Sequence, residues 1–201
     1  MKTHKIIEKA RKEGRSFLTE NEAKELLAGR GIPVVSCRVA RDEDETVSLA
    51  RECGFPVVLK VNSPKIVHKS DRGGVFLNLK EEQSVREAFR KIIKNYQDVD
   101  PEATVTVQSM LGKGVEVLIG TIADRQFGPV VAFGLGGIFT EVLKDIVFRM
   151  APISPEEAGK MVRQIKGSRL LQGYRGNPAV DTLSLQNIIM RVSRLAFEIA
   201  D

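Results

Sequence analysis

The residue types best suited to chemistry fall in one stretch. The run Lys60-Val61-Asn62-Ser63-Pro64-Lys65-Ile66-Val67-His68-Lys69-Ser70-Asp71-Arg72-Gly73-Gly74-Val75 sets a lysine on an apolar segment, then gathers Lys65, His68, Lys69 and Arg72 ahead of two glycines. A lysine on a buried strand is costly unless its ammonium meets a partner, and a phosphate is such a partner. Glycines let backbone N–H groups approach an anion, and the cations match its charge. Two plainer readings stand beside this one: His68 as a solvent-exposed loop histidine and Lys60 as a snorkelling edge-strand lysine.

A second stretch, Val107–Gly120, ends one strand on Gln108, continues through the apolar connector Met110-Leu111 and carries Glu116 on the next strand. An apolar hinge with backbone edges suits a purine, and a carboxylate suits ribose hydroxyls. A plain glycine-rich hairpin with Glu116 toward solvent is the alternative. The third stretch, Phe127–Pro152, contains Gly134, Gly136 and Gly137 but lacks the full dinucleotide fingerprint, which argues against a Rossmann reading. Within it, Arg149 either meets a terminal phosphate or pairs with Asp145.

The elements that must position these residues follow from periodicity and punctuation. Thr19 and Glu22 have capping-box spacing, with Leu18 placed to staple onto Ala23, so a helix opens there and ends at Gly31 and Pro33. Extended chain is expected over Val34–Ala40. A second helix runs from about Asp42 to Cys53, with Gly54 after it. Strands are expected over Pro56–Val61 and Gly74–Leu79, then a helix over Glu81–Tyr96 with Val85, Phe89, Ile92, Ile93 and Tyr96 on one stripe. Further strands are read over Thr104–Gln108, Val115–Ala123 and Pro129–Phe133, and helices over Ser154–Lys166 and Asp181–Ile199. The layout is α+β in two lobes that divide near Gln108.

Composition narrows the class. The 201 residues, 42% hydrophobic and 28% charged, suffice for a core without staples. The net charge is +5, yet acids and bases are interspersed apart from Lys9, Arg11, Lys12 and Arg15, and aromatics are only 5%, so a nucleic-acid partner is not expected. No apolar run reaches bilayer length and the first residues lack a signal-peptide core, so no membrane role is expected and the chain reads as cytoplasmic. Cys37 and Cys53 lack metal-ligand spacing and are expected to stay unbridged.

Taken together, Ser16-Phe17-Leu18-Thr19-Glu20, the Ser63-Pro64…His68-Lys69-Ser70-Asp71…Gly73-Gly74-Val75 loop, Phe127–Pro152 and Tyr174-Arg175-Gly176-Asn177-Pro178 resemble the beta subunit of ADP-forming acetate–CoA and acyl-CoA ligases. These are ATP-grasp proteins, and the resemblance spans about residues 16–200. It implies an ATP-grasp fold with nucleotide held between the lobes, residues 1–107 forming the N-terminal lobe and 108–201 the C-terminal one. It also implies that an alpha subunit makes a phosphohistidine and that His68 is a second carrier passing the phosphoryl group to ADP. By the same resemblance Lys60 binds nucleotide phosphates, Lys69, Ser70, Gly73 and Gly74 cover them, Gln108, Met110 and Leu111 form the adenine hinge, and Glu116 holds the ribose; Arg149, on the reading that it meets a terminal phosphate, is counted with these nucleotide-binding residues.

ATP or ADP and Mg²⁺ are the implied ligands, but the family's metal-binding Asp/Glu-x-Asn-Pro segment has no counterpart before Asp201, so no metal ligand is assigned. The C-terminal strands are therefore expected to be missing, through truncation, separate encoding or loss of the metal site. A nucleotide-binding but inactive module, or a structural partner of an alpha subunit, is the alternative function. Which acyl-CoA is used is not legible.

Overall fold

The computed structural model describes residues 2–137, 144–173 and 178–200. Within Phe127–Pro152, residues 138–143 lie outside the described residues, as do Tyr174, Arg175, Gly176 and Asn177. The chain divides into two compact units, one comprising residues up to Gly29 with Pro33–Gly112, the other Arg30–Ile32 with Lys113 onward. The backbone thus changes unit three times, and Gln108 lies in the first unit.

Unit 1 contains α1 (Lys2–Lys12), α2 (Glu20–Ala28), β1 (Cys37–Ala40), α3 (Glu43–Cys53), β2 (Val57–Asn62), β3 (Val75–Leu79), α4 (Glu82–Tyr96) and β4 (Thr104–Ser109). Its strands form an antiparallel sheet in the order β1-β4-β2-β3. Period-2 alternation gives the sheet two chemistries. Val57, Leu59 and Val61 of β2 and Val105 and Val107 of β4 are buried against Val47 and Ala50 of α3 and Val85, Phe89, Ile92 and Tyr96 of α4. The alternate positions, Lys60 and Asn62 on β2 and Thr106 and Gln108 on β4, turn to the opposite face, with Lys60 paired to Thr106 and Gln108 set between Val58 and Cys37. Lys60 therefore sits on an inner strand without entering the core, and it is not an edge-strand lysine.

Unit 2 contains β5 (Val117–Asp124), β6 (Gly128–Leu135), β7 (Ile146–Met150), α5 (Pro155–Gln164), α6 (Ser168–Leu171) and α7 (Thr182–Ala200), with an antiparallel sheet in the order β5-β6-β7. Val131, Phe133 and Leu135 of β6 are buried with Ala158, Met161 and Val162 of α5 and Leu185 and Ile189 of α7. Arg30–Ile32 belongs to this unit, where Arg191 of α7 donates to the Arg30 carbonyl at 3.1 Å.

Most expected elements are present with boundaries shifted by one or two residues. Helix α2 stops earlier, at Ala28 with Gly29 as its cap, and Gly31 instead takes a left-handed turn, φ +68°, two residues later. The expected extended run from Val34 is a strand only over Cys37–Ala40, where β4 supplies a partner. Helix α1, strand β7 and the single-turn α6 were not expected. Ala10 of α1 is buried and Ile6 and Ile7 lie near it in sequence, a spacing masked by the basic residues around them. Both cysteines are free thiols.

Candidate functional site

The first helical residue of α2 carries the side chain on which the polar face of the sheet converges. Thr19 caps the helix, its hydroxyl accepting from the Glu22 N–H, while the Glu22 carboxylate accepts from the Thr19 N–H at 2.9 Å. Arg15 grips that same carboxylate through both terminal nitrogens at 2.8 Å. Capping boxes satisfy two orphan donors at once, so the start of α2 and hence Glu20 are fixed in place.

Glu20 accepts from Lys60 of β2 at 2.8 Å and lies 3.0 Å from Lys24 of α2 through Oε1, and it accepts from Lys69 of the loop at 2.8 Å through Oε2. Lys24 also donates to Gln108 Oε1 at 2.5 Å. These four charged side chains are at most 23% exposed, so their attraction is screened far less than that of a surface pair. Burial works to raise the Glu20 pKa, but hydrogen bonds from Lys60, Lys69 and Lys24 outweigh it and bring it to about 2. Three cations from three elements surround one anion, leaving the cluster net positive. It borders an open hollow of about 520 Å³ also lined by His68, Ser70, Asp71, Val75 and Leu77.

The loop bearing His68 is fastened at both feet by the end of α4 and the turn after it. Buried Asp100 accepts from Ser63 Oγ at 2.6 Å and Lys65 Nζ at 3.0 Å. Burial pushes its pKa up, but these bonds win and hold it below the usual range. At the other foot the Tyr96 hydroxyl donates to the Lys69 carbonyl at 2.7 Å and Asn95 donates to the Arg72 carbonyl at 2.9 Å. His68 itself is exposed between these anchors.

The two glycines have different duties. Gly73 adopts φ +67°, where a side chain is strained. At Gly74 an added Cβ would stand 2.5 Å from the Lys69 carbonyl oxygen and 2.8 Å from the Tyr96 hydroxyl. Their N–H groups donate to the Ser70 and Lys69 carbonyls, so these amides shape the loop and are not turned toward an anion, contrary to expectation.

The remaining expected site residues are distributed as follows. Gln108 is buried at the end of β4, while Met110 and Leu111 are exposed just beyond it, with the Met110 N–H donating to the Pro56 carbonyl at 3.0 Å. In unit 2, Glu116 precedes β5 instead of lying on it and is exposed beside Gly136, whose N–H donates to the Glu116 carbonyl at 2.8 Å. Arg149 on β7 does not pair with Asp145. It donates to the Phe148 carbonyl at 2.7 Å and Gln164 Oε1 at 2.6 Å, and lies 3.9 Å from Glu157. Asp145 is engaged elsewhere, accepting the Lys166 and Gly167 N–H groups at 2.8 and 2.7 Å. Sequence reasoning missed Glu20 as a site residue, as well as Lys24, Tyr96 and Asp100. The capping box pointed to the start of α2, but only the fold brings that start beside β2.

Among the described residues no three His, Cys, Asp or Glu side chains gather to hold a metal. Among the described residues no helix is long and apolar enough to cross a membrane.

Comparison with known proteins finds a match to the ATP-grasp domain over residues 9–201. The chain is 49% identical over 203 residues to the beta subunit of Pyrococcus furiosus acetate–CoA ligase [ADP-forming] I, covering all of this chain and 87% of that one. It is 41% identical to the 4-hydroxybutyrate–CoA ligase [ADP-forming] of Nitrosopumilus maritimus, covering 96% of this chain but 28% of that longer protein. Among solved structures it resembles the Ca. Korarchaeum cryptofilum dinucleotide-forming acetyl-coenzyme A synthetase 1 in complex with coenzyme A and Ca-AMPCP, with TM-score 0.93, 44% identity, and 98% of this chain and 87% of that chain covered. A second structure of that synthetase, with coenzyme A and Mg-AMPPCP and a phosphohistidine segment pointing towards the nucleotide binding site, aligns with TM-score 0.86 at 43% identity over 98% of this chain and 86% of that one.

Proposed function

The chain belongs to the ATP-grasp family as a homologue of the beta subunits of ADP-forming acetate–CoA ligases, and on that premise we propose that His68 carries a phosphoryl group from an alpha subunit to ADP. The observation that carries this reading is that Lys60 and Lys69 line the hollow that His68 also lines, with Lys24 beside them on Glu20. A neutral imidazole nitrogen attacks the phosphorus of the phosphohistidine on the alpha subunit, forming a P–N bond as the donor P–N bond breaks. A β-phosphate oxygen of ADP then attacks the same phosphorus, the bond to His68 breaks, and ATP leaves.

Such a transfer needs positioning and charge neutralisation more than covalent help. Lys60 and Lys69 are set to neutralise phosphate oxygens, and Ser70 with the turn shaped by Gly73 and Gly74 lies over them. In this reading Gln108, Met110 and Leu111 offer the edge and apolar surface for adenine, Glu116 accepts from ribose hydroxyls, and Arg149 faces the phosphates once freed from Gln164.

The test supplies a cognate alpha subunit, acyl-CoA, phosphate and ADP to the chain and to His68→Ala. ATP formation is expected to fall at least a hundredfold in the variant; equal formation by both overturns the carrier role. Calorimetry with ADP separates a nucleotide-binding subunit from a purely structural partner, which does not bind, while turnover that is lost in His68→Ala separates an active subunit from a module that only binds.

A further inference from the structure

We propose that Glu20 is an internal stand-in for phosphate, its carboxylate holding the three lysines of the site until a diphosphate-bearing ligand displaces it. This deepens the nucleotide reading above, on which the identity of the ligand rests.

The geometry is that of a bound anion. Glu20 offers two oxygens to three ammonium groups at 2.8 to 3.0 Å, one from β2, one from α2 and one from the His68 loop. Charge-assisted contacts of this length are those a phosphate would make to the same donors. One carboxylate against three cations leaves two positive charges unmatched within the cluster, whereas a diphosphate brings more negative charge and more acceptor oxygens. Exchange is therefore favourable on charge count, with Glu20 opposing it by one anion. Of the other groups on the hollow, Asp71 adds a carboxylate and His68 an imidazole, and neither has a hydrogen bond or ion pair to the lysines. The capping box and the Arg15 fork keep the backbone of α2 fixed, so release of the lysines requires only rotation of the Glu20 side chain. Glu20 is a positioning residue in this account: it orders the lysines in the free protein and sets a threshold that the ligand must exceed.

The test is a calorimetric titration of the full chain and Glu20→Gln with inorganic pyrophosphate, ADP and adenosine at one fixed ionic strength. The variant is expected to bind pyrophosphate and ADP about tenfold more tightly, with adenosine unchanged, because one competing charge has been removed. A residue that merely held the site together would lose affinity, so equal or weaker pyrophosphate binding by the variant overturns the proposal. Tighter pyrophosphate binding with no ADP binding by either protein supports the stand-in role and instead overturns the nucleotide reading. Should Glu20→Gln show no cooperative melt, Glu20→Asp keeps the charge on a shorter arm. A gain of about threefold for pyrophosphate is then expected, and a loss overturns the proposal.

Discussion

The Glu20 carboxylate is held by three ammonium groups, and its titration reports them. Its folded pKa, about 2, lies below its ordinary 4.5, so it contributes stability that is fully present above the ordinary value and lost as pH falls toward 2. Acid unfolding monitored by circular dichroism is expected to show stability falling between about pH 4.5 and 2, with a shallower fall over that window in Glu20→Gln. An identical slope in the two proteins would mean that the lysines do not hold the carboxylate. At Gly74, where a methyl group would meet the Lys69 carbonyl and the Tyr96 hydroxyl, Gly74→Ala is expected to destabilise by about 1–3 kcal/mol through overpacking. Urea unfolding measures it, and a change below half a kcal/mol would show that the loop gives way freely.

At the scale of elements, the loop bearing His68 depends on α4 and the residues just after it. Tyr96→Phe removes one hydrogen bond to the loop and leaves the ring in the core, so a loss of about 1 kcal/mol is expected. Faster amide exchange at Gly73 and Gly74 should accompany it, and unchanged exchange would place the restraint elsewhere. Such dependence was partly legible beforehand. The stripe Val85, Phe89, Ile92 and Tyr96 identified α4 and its buried face, because helical periodicity is a local signal. That Tyr96 also spends its hydroxyl on Lys69, or that Asp100 ties down Ser63 and Lys65, could not be read, since those pairs lie 27 to 37 residues apart and meet only through sheet register. The same limit hid Glu20: its capping box is local, its lysines at positions 60 and 69 are not. Strand β7 escaped notice because Ile146–Met150 is a short apolar run whose partner strand, β6, decides its state.

For the whole molecule, two cores built from separate sheets are joined by a connector from Met110 to Glu116 that carries no regular structure, with Lys113 exposed. Limited trypsin digestion is expected to give a fragment ending at Lys113 among its earliest products, identified by mass spectrometry. Resistance at Lys113 while helical lysines are cut would mean that the connector is packed. The +5 charge is also unevenly used: much of the basic surface is paired, as in Arg86 and Arg90 with Glu43 and Arg51 with Glu82, while the lysines around Glu20 retain an excess.

The three crossings of the backbone between units also bear on the order in which the protein can form. Arg30, Gly31 and Ile32 leave the ribosome before most of the first unit and before every other residue of the second. The arginine of α7 that grips the Arg30 carbonyl is made 161 residues later. The first unit already has its strands and covering helices once β4 has emerged, so it can consolidate while that tripeptide waits. The second cannot close around its earliest residues until α7 has been synthesised, which makes its assembly the late, long-range step of folding.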